Sequence, residues 1–129
     1  MSNEESKYEF GQIWKYKNRE GEDDSRVYIC QVDDTNYVRV YHLHVTNVKL
    51  PGNDNAVLGH TPVNAKTLDA SLTEMVDTTE EVPDISEGYR AWKSDFRDGR
   101  AGVFEIPIHE IVNIYDQLLQ QQNQTPEQT

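Results

Sequence analysis

A chain of 129 residues with 12 Lys and Arg against 23 Asp and Glu carries a formal net charge of −11. Phosphate backbones and anionic membrane surfaces are both gripped by Lys and Arg, so this balance argues against a nucleic-acid partner and against a membrane partner. At this length one domain around one core is expected, because a chain of about 150 residues buries roughly 70% of its unfolded surface. The single cysteine, Cys30, has no partner for an internal disulfide and lies in a strand-like apolar run, where it reads as a small core residue. The opening Met-Ser-Asn-Glu-Glu-Ser has neither a basic region nor an apolar one, and no stretch is apolar enough to span a bilayer. A cytoplasmic protein is the expectation.

Residues Met1 to Lys7 are polar and are expected to form a loose N-terminal tail. Strands are predicted over Phe10 to Tyr16 and Val27 to Val32, two runs rich in aromatic and β-branched residues, with the polar segment from Asn18 to Ser25 as the loop between them. A turn at Asp33-Asp34-Thr35-Asn36 leads into a long strand from Tyr37 to Leu50. Its apolar parity changes, from Val38 and Val40 to Leu43 and Val45, and a β-bulge near Val40 and Tyr41 would reconcile the two. Three such strands in succession suggest a small curled antiparallel sheet, with the look of a partly open SH3-like barrel.

From Asn64 onward the periodicity becomes helical. Ala65, Leu68, Leu72, Met75 and Val76 share one helical face, with Asn64 as N-cap after Pro62. A second helix is predicted from Ile85 to Asp98, apolar at Ile85, Tyr89, Trp92 and Phe96 and terminated by Gly99. Val103 to Ile106 gives a short strand signal. A last helix follows, with Pro107 in its first turn and Ile108, Ile111, Val112, Ile114, Tyr115, Leu118 and Leu119 on a wide apolar arc. Gln120 to Thr129 reads as a glutamine-rich loose tail, which leaves residues 8–119 as the ordered domain. The fold class is therefore α+β: about four antiparallel strands packed by three helices.

No catalytic or cofactor fingerprint stands out. His42 and His44 are two apart on a strand and share a face, where they would suit a metal if His60 or His109 and a carboxylate joined them. The third ligand is not at a recognisable spacing, His60 falls in what reads as a loop, and two His on a half-exposed strand face need no other explanation. The triplet His44-Val45-Thr46 matches the phosphate-holding element of two-histidine phosphoesterases, but those enzymes use two copies and only one is present. Cys30 has no flanking cation to activate it, no serine lies in a Gly-x-Ser-x-Gly elbow, and Gly99 and Gly102 are not followed by the Lys-Ser or Lys-Thr of a phosphate cradle. No cofactor or metal is expected. Arg90, Lys93, Arg97 and Arg100 form a cationic stripe that answers the acidic residues before it.

Thr67 to Tyr89 contains no cation and holds seven carboxylates, Asp69, Glu74, Asp77, Glu80, Glu81, Asp84 and Glu87. A concentrated field of one sign steers partners of the other sign. The function expected is thus a non-catalytic binding protein for a basic protein partner, in the manner of small inhibitors and immunity proteins. Its contact residues would be Glu74, Asp77, Glu80, Glu81, Asp84 and Glu87, edged by Tyr16 and Tyr41 if part of the sheet is uncovered. The alternative from another class is a small metal-dependent hydrolase built on His42 and His44.

Overall fold

The computed structural model describes residues 7–124, so most of the expected N-terminal tail and the end of the C-terminal one lie outside the described residues. Five strands and three helices follow in the order β1 (Gln12–Tyr16), β2 (Arg26–Asp34), β3 (Arg39–Leu50), β4 (Asn53–Val63), α1 (Ala65–Ser71), β5 (Leu72–Thr78), α2 (Ser86–Arg97) and α3 (Ile108–Gln124). The strands make one antiparallel sheet in the order β4-β3-β2-β1-β5. The sheet is open, ending at β4 on one side and β5 on the other, and the chain is α+β. Nothing in the topology establishes the finer SH3-like likeness.

Several elements differ from expectation. The predicted helix after Asn64 lasts only to Ser71: Asn64 caps it by accepting hydrogen bonds from the amides of Lys66 and Thr67, but Leu72 is already extended and Leu72–Thr78 is β5, paired to β1. Met75 and Val76, 46% and 41% exposed, do not face a core, so their helical spacing with Leu68 is coincidental and tertiary pairing with β1 decides the conformation. The fourth strand, Asn53–Val63, contains His60, which is expected in a loop. It follows a hairpin turn at Pro51-Gly52, where Gly52 takes a φ of +81° that favours glycine. Its periodicity is hidden in the sequence because Val45 pairs with Leu58 while Leu43 pairs with Thr61, an extra residue on β4 that switches the inward side from Ala56 and Leu58 to Thr61 and Val63.

The bulges also lie elsewhere than at Val40 and Tyr41, where β3 pairs regularly with β2. One interrupts β2 between Ile29 and Gln31, leaving Cys30 as the extra residue. Another falls between Val45 and Val48 of β3, where Asn47 has a φ of +55°. The mixed parity of β3 has a different cause. Val40, Tyr41, His42 and Leu43 are all buried because both faces of the strand are covered.

One face carries the main core. Tyr41, Leu43, Val45 and Val48 of β3 pack with Val27 and Ile29 of β2, Leu58 and Val63 of β4, Leu68 of α1, and Ile108, Ile111 and Val112 of α3. The strand predicted at Val103 to Ile106 is reduced to a single parallel bridge of Phe104 to Val63. That segment is tied down by Thr67, whose hydroxyl lies 3.1 and 2.8 Å from the Phe104 and Ile106 carbonyls, and the Ile108 amide donates to Ser71 Oγ at 2.9 Å. A second tie is ionic. Glu22, 2% exposed, accepts from Arg19 Nη2 at 2.6 Å and from the Lys49 amide at 2.8 Å, and Arg19 Nη1 reaches Asp116 of α3 at 2.8 Å. A carboxylate so placed is tolerated because its charge is paired and hydrogen-bonded.

The last helix runs to Gln124, into the glutamine-rich stretch expected as tail. Its apolar arc is narrower than predicted: Ile108, Ile111 and Val112 are fully buried, whereas Ile114 and Leu118 are 41% and 49% exposed. Truncating Ile111 to Ala is accordingly expected to cost about 2–4 kcal/mol of stability, the usual price of a large buried deletion. Leu118→Ala should cost less than about 1 kcal/mol, since little area leaves water on folding there. Urea denaturation of the two variants measures both, and equal losses would contradict this assignment of the core.

Candidate functional site

The opposite face of β3 carries a polar cluster. Gln31 of β2 and Pro62 of β4 lie directly opposite His42, so Asp33 and His60 are its diagonal neighbours on the flanking strands, within reach of a long side chain. All three side chains therefore emerge in a line across one sheet face. His42 Nε2 lies 3.1 Å from Asp33 Oδ2, and His42 Nδ1 lies 2.8 Å from His60 Nε2. The two imidazoles are stacked, with ring centroids 5.0 Å apart.

Helix α2 closes over this row. The Tyr89 hydroxyl donates to Asp33 Oδ2 at 2.7 Å, while the rings of Tyr89 and Trp92 meet His42 edge-on, each with centroids 4.8 Å away. Trp92 also stacks on Phe96 at 4.7 Å and donates from Nε1 to the Gly102 carbonyl at 2.8 Å. Gly88 lets the helix approach, since a Cβ built there would fall 2.8 Å from His60 Cβ. Gly99, with a φ of +78°, ends the helical segment as expected.

Burial and hydrogen bonding fix the charges. Burial alone would raise the Asp33 carboxyl, but the hydrogen bonds from Gln31, Tyr89 and His42 outweigh it and hold it below the usual carboxylate range. Burial lowers the His42 imidazole against the opposing pull of Asp33, and burial followed by the neighbouring His42 ring pushes His60 down to about 4. Burial and then Asp33 push the Tyr89 phenol up to about 12. At neutral pH the row is one carboxylate and two neutral rings. A single proton arrangement satisfies it: His42 Nε2–H donates to Asp33, and His60 Nε2–H donates to the lone pair of His42 Nδ1.

The expected histidine pair is not assembled as a chelate. His42 is fully buried, not on an exposed face, and both its ring nitrogens are engaged. His44 is turned to the Gly59 carbonyl, 3.2 Å from Nδ1, and to the Tyr28 ring. His60 is on β4 and joins His42, while His109 is on α3. Among the described residues no group of three or more His, Cys, Asp and Glu side chains has the geometry to hold a metal ion. Cys30 is buried, and burial pushes its thiol up to about 12, so it is neither ionised nor accessible.

The acidic residues singled out by sequence are all on the surface. Glu74 and Asp77 lie on the edge strand β5, Glu80 and Glu81 in the following loop, Asp84 just before α2, and Glu87 in its first turn. Glu74 lies 3.9 Å from Lys15, and Asp84 Oδ1 accepts from the Ser86 amide at 2.9 Å, a bond that lowers its carboxyl. Tyr16 and Tyr41 are placed differently. They are 4% and 2% exposed, the first bonded to Ser25 Oγ at 2.7 Å and the second edge-on to Tyr8, so the uncovered aromatic face expected around them is core. A groove of about 470 Å³ is lined instead by Tyr8, Glu9, Phe10, Gln31, Val32, Asp34 and Arg39.

Sequence reasoning placed Asp33 in a turn and His60 in a loop, and so missed the row. The signal that would have found it is the Pro51-Gly52 hairpin, which folds β4 back along β3 and brings His60 beside His42. The chain matches no family model, and comparison with curated proteins and with solved structures finds no similar protein. No helix among the described residues is long and apolar enough to cross a membrane. Tyr89→Phe, which removes the hydroxyl bonded to the Asp33 carboxylate, should weaken the docking of α2 by about 1.5–3 kcal/mol. Hydrogen exchange reads this as faster α2 amides with α3 amides unchanged, and uniform acceleration would show that α2 is not a separate unit.

Proposed function

We propose that the protein is a non-catalytic binding module that engages a basic protein partner through the acidic surface running from β5 to the start of α2. The observation that supports this reading is the exposure of all six carboxylates, Glu74, Asp77, Glu80, Glu81, Asp84 and Glu87, along an edge strand, the loop leaving it and the first turn of α2. Inward-facing residues would need pairing; these six leave their charge in solvent, where it steers an oppositely charged surface and excludes like-charged ones. Edge strands also offer main-chain hydrogen-bonding groups to an extended partner. Met75 and Val76, exposed on β5, supply apolar contact beside the charge. A small inhibitor or immunity-like protein uses such a surface.

Charge reversal separates this reading from plain surface solubility. The combined substitutions Asp77→Lys, Glu80→Lys and Glu81→Lys should leave the melting temperature within a few degrees of the parent, because none of the three side chains is buried. They should slow association with partners captured from cell extract by at least about tenfold at 0.05 M salt, with the difference shrinking as salt rises toward 0.5 M. Capture that ignores both the reversal and the salt would overturn the proposal.

A further inference from the structure

The contact between His42 and His60 limits how many protons the row can hold. With both rings neutral, every nitrogen facing another group has a complementary partner, and a first added proton fits at His60 Nδ1 without disturbing the bond to His42. A second proton places N–H groups on both sides of a 2.8 Å separation, so attraction becomes repulsion and the rings must part. His42 cannot withdraw, because it is fully buried in the middle of the sheet and bonded to Asp33. His60 cannot withdraw either while Gly88 lies against its Cβ. The wall that yields is therefore α2, which Gly88 brings against the His60 side chain.

We propose that α2 (Ser86–Arg97) is an acid-released cover, lifted from the sheet when the His42–His60 pair takes up protons, which uncovers the histidine row and the β3–β4 surface beneath. The helix is suited to this because none of its residues is fully buried and its hold on the sheet comes from Tyr89, Trp92 and the Gly88 contact. By contrast, α3 on the other face is held chiefly by Ile108, Ile111 and Val112, which do not titrate, and its ionic tie to Arg19 uses Asp116, whose carboxyl that hydrogen bond holds below the usual carboxylate range. Elements of this lightly anchored kind open sub-globally before the core does.

The groups facing the pair give the sign. From β2, Asp33 favours a proton on His42; from β3, His44 lies on the same face; from α2, Tyr89 bonds Asp33 and carries Lys93 over its ring at 5.6 Å. Asp84 and Glu87, at the start of α2, line a small cavity of about 200 Å³ with His60 and are solvent-screened. Burial dominates, and both imidazoles are held below the ordinary histidine value, His60 at about 4. The released state, with rings near their ordinary value of about 6.5, binds more protons between these limits. Docking is therefore complete above about pH 6.5 and is lost as pH falls toward 4.

Hydrogen exchange on the full chain, corrected for the intrinsic pH dependence of amide exchange, tests this directly. Between pH 6.5 and 4.5 the α2 amides should lose at least tenfold in protection while those of β3 and α3 around Ile111 keep theirs. His60→Gln keeps a side-chain N–H to donate to His42 Nδ1 but takes up no proton, so its α2 should stay protected across the same range. Histidine ring resonances in the unsubstituted protein provide a second readout that needs no variant: the His60 signal should titrate well below 6.5 and move together with the loss of α2 protection. Four results would each overturn the proposal: α2 protection constant down to pH 4, loss of protection shared equally by α3, the same pH response in His60→Gln, or a His60 ring titrating at its ordinary value.

Discussion

From Val40 to Leu43 strand β3 is shielded from water on both of its faces, and most of the architecture follows from that. Successive side chains of a strand point to opposite sides, so the burial of Val40, Tyr41, His42 and Leu43 in sequence requires two separate covering layers. On one side α1 and α3 supply aliphatic residues, and Tyr41, Leu43, Val45 and Val48 join them in a core that needs no polar compensation. On the other side the strand presents His42, a group that cannot be buried without partners. The sheet supplies those partners on either flank, Asp33 and His60, and α2 seals the row.

The two covering layers are consequently held by different physics. The α3 layer depends mainly on buried aliphatic area, which is non-directional and insensitive to protonation, with the Arg19–Asp116 ion pair beside it. The α2 layer depends on the Tyr89 to Asp33 bond, on edge-on contacts of the Tyr89 and Trp92 rings with His42 and His60 worth about 0.5–1.5 kcal/mol a pair, and on the close approach that Gly88 permits. Directional contacts of this kind fix the helix in one register, and they tie its position to the charge state of the groups beneath it. The Arg19–Glu22 pair plays a comparable orienting part on the core side, where it joins the β1–β2 connection to β3 and α3.

Charge is segregated in the same way. The carboxylates of β5 and the following loop face solvent at one edge of the sheet, while Arg90, Lys93, Arg97 and Arg100 lie on exposed positions of α2 and just beyond it. Arg100 bonds Asp95 and Asp98 at 3.3 and 3.2 Å, within its own segment, so the cationic stripe is partly answered by carboxylates of the same helix and its C-terminal end. Both charged surfaces remain outside the two buried layers, which is why the net charge of −11 is compatible with a compact sheet.

Much of the local structure was determined by the sequence alone: the α+β class, β1 to β3 to within a few residues, the Asn64 cap, and the helices ending at Gly99 and beginning after Pro107. Each of these rests on interactions between near neighbours, caps and turns and short periodic runs, which the chain carries wherever it goes. The tertiary structure decided the rest. Leu72 to Thr78 has helical spacing but lies beside β1 and becomes a strand, and β4 conceals its periodicity behind an extra residue. Tyr16 and Tyr41 are core because helices cover the face on which they stand. The Asp33, His42 and His60 row joins residues from three strands, and its geometry depends on the register between them. A single sequence does not specify that register, because a shift of one residue would send the same side chains to the other face of the sheet.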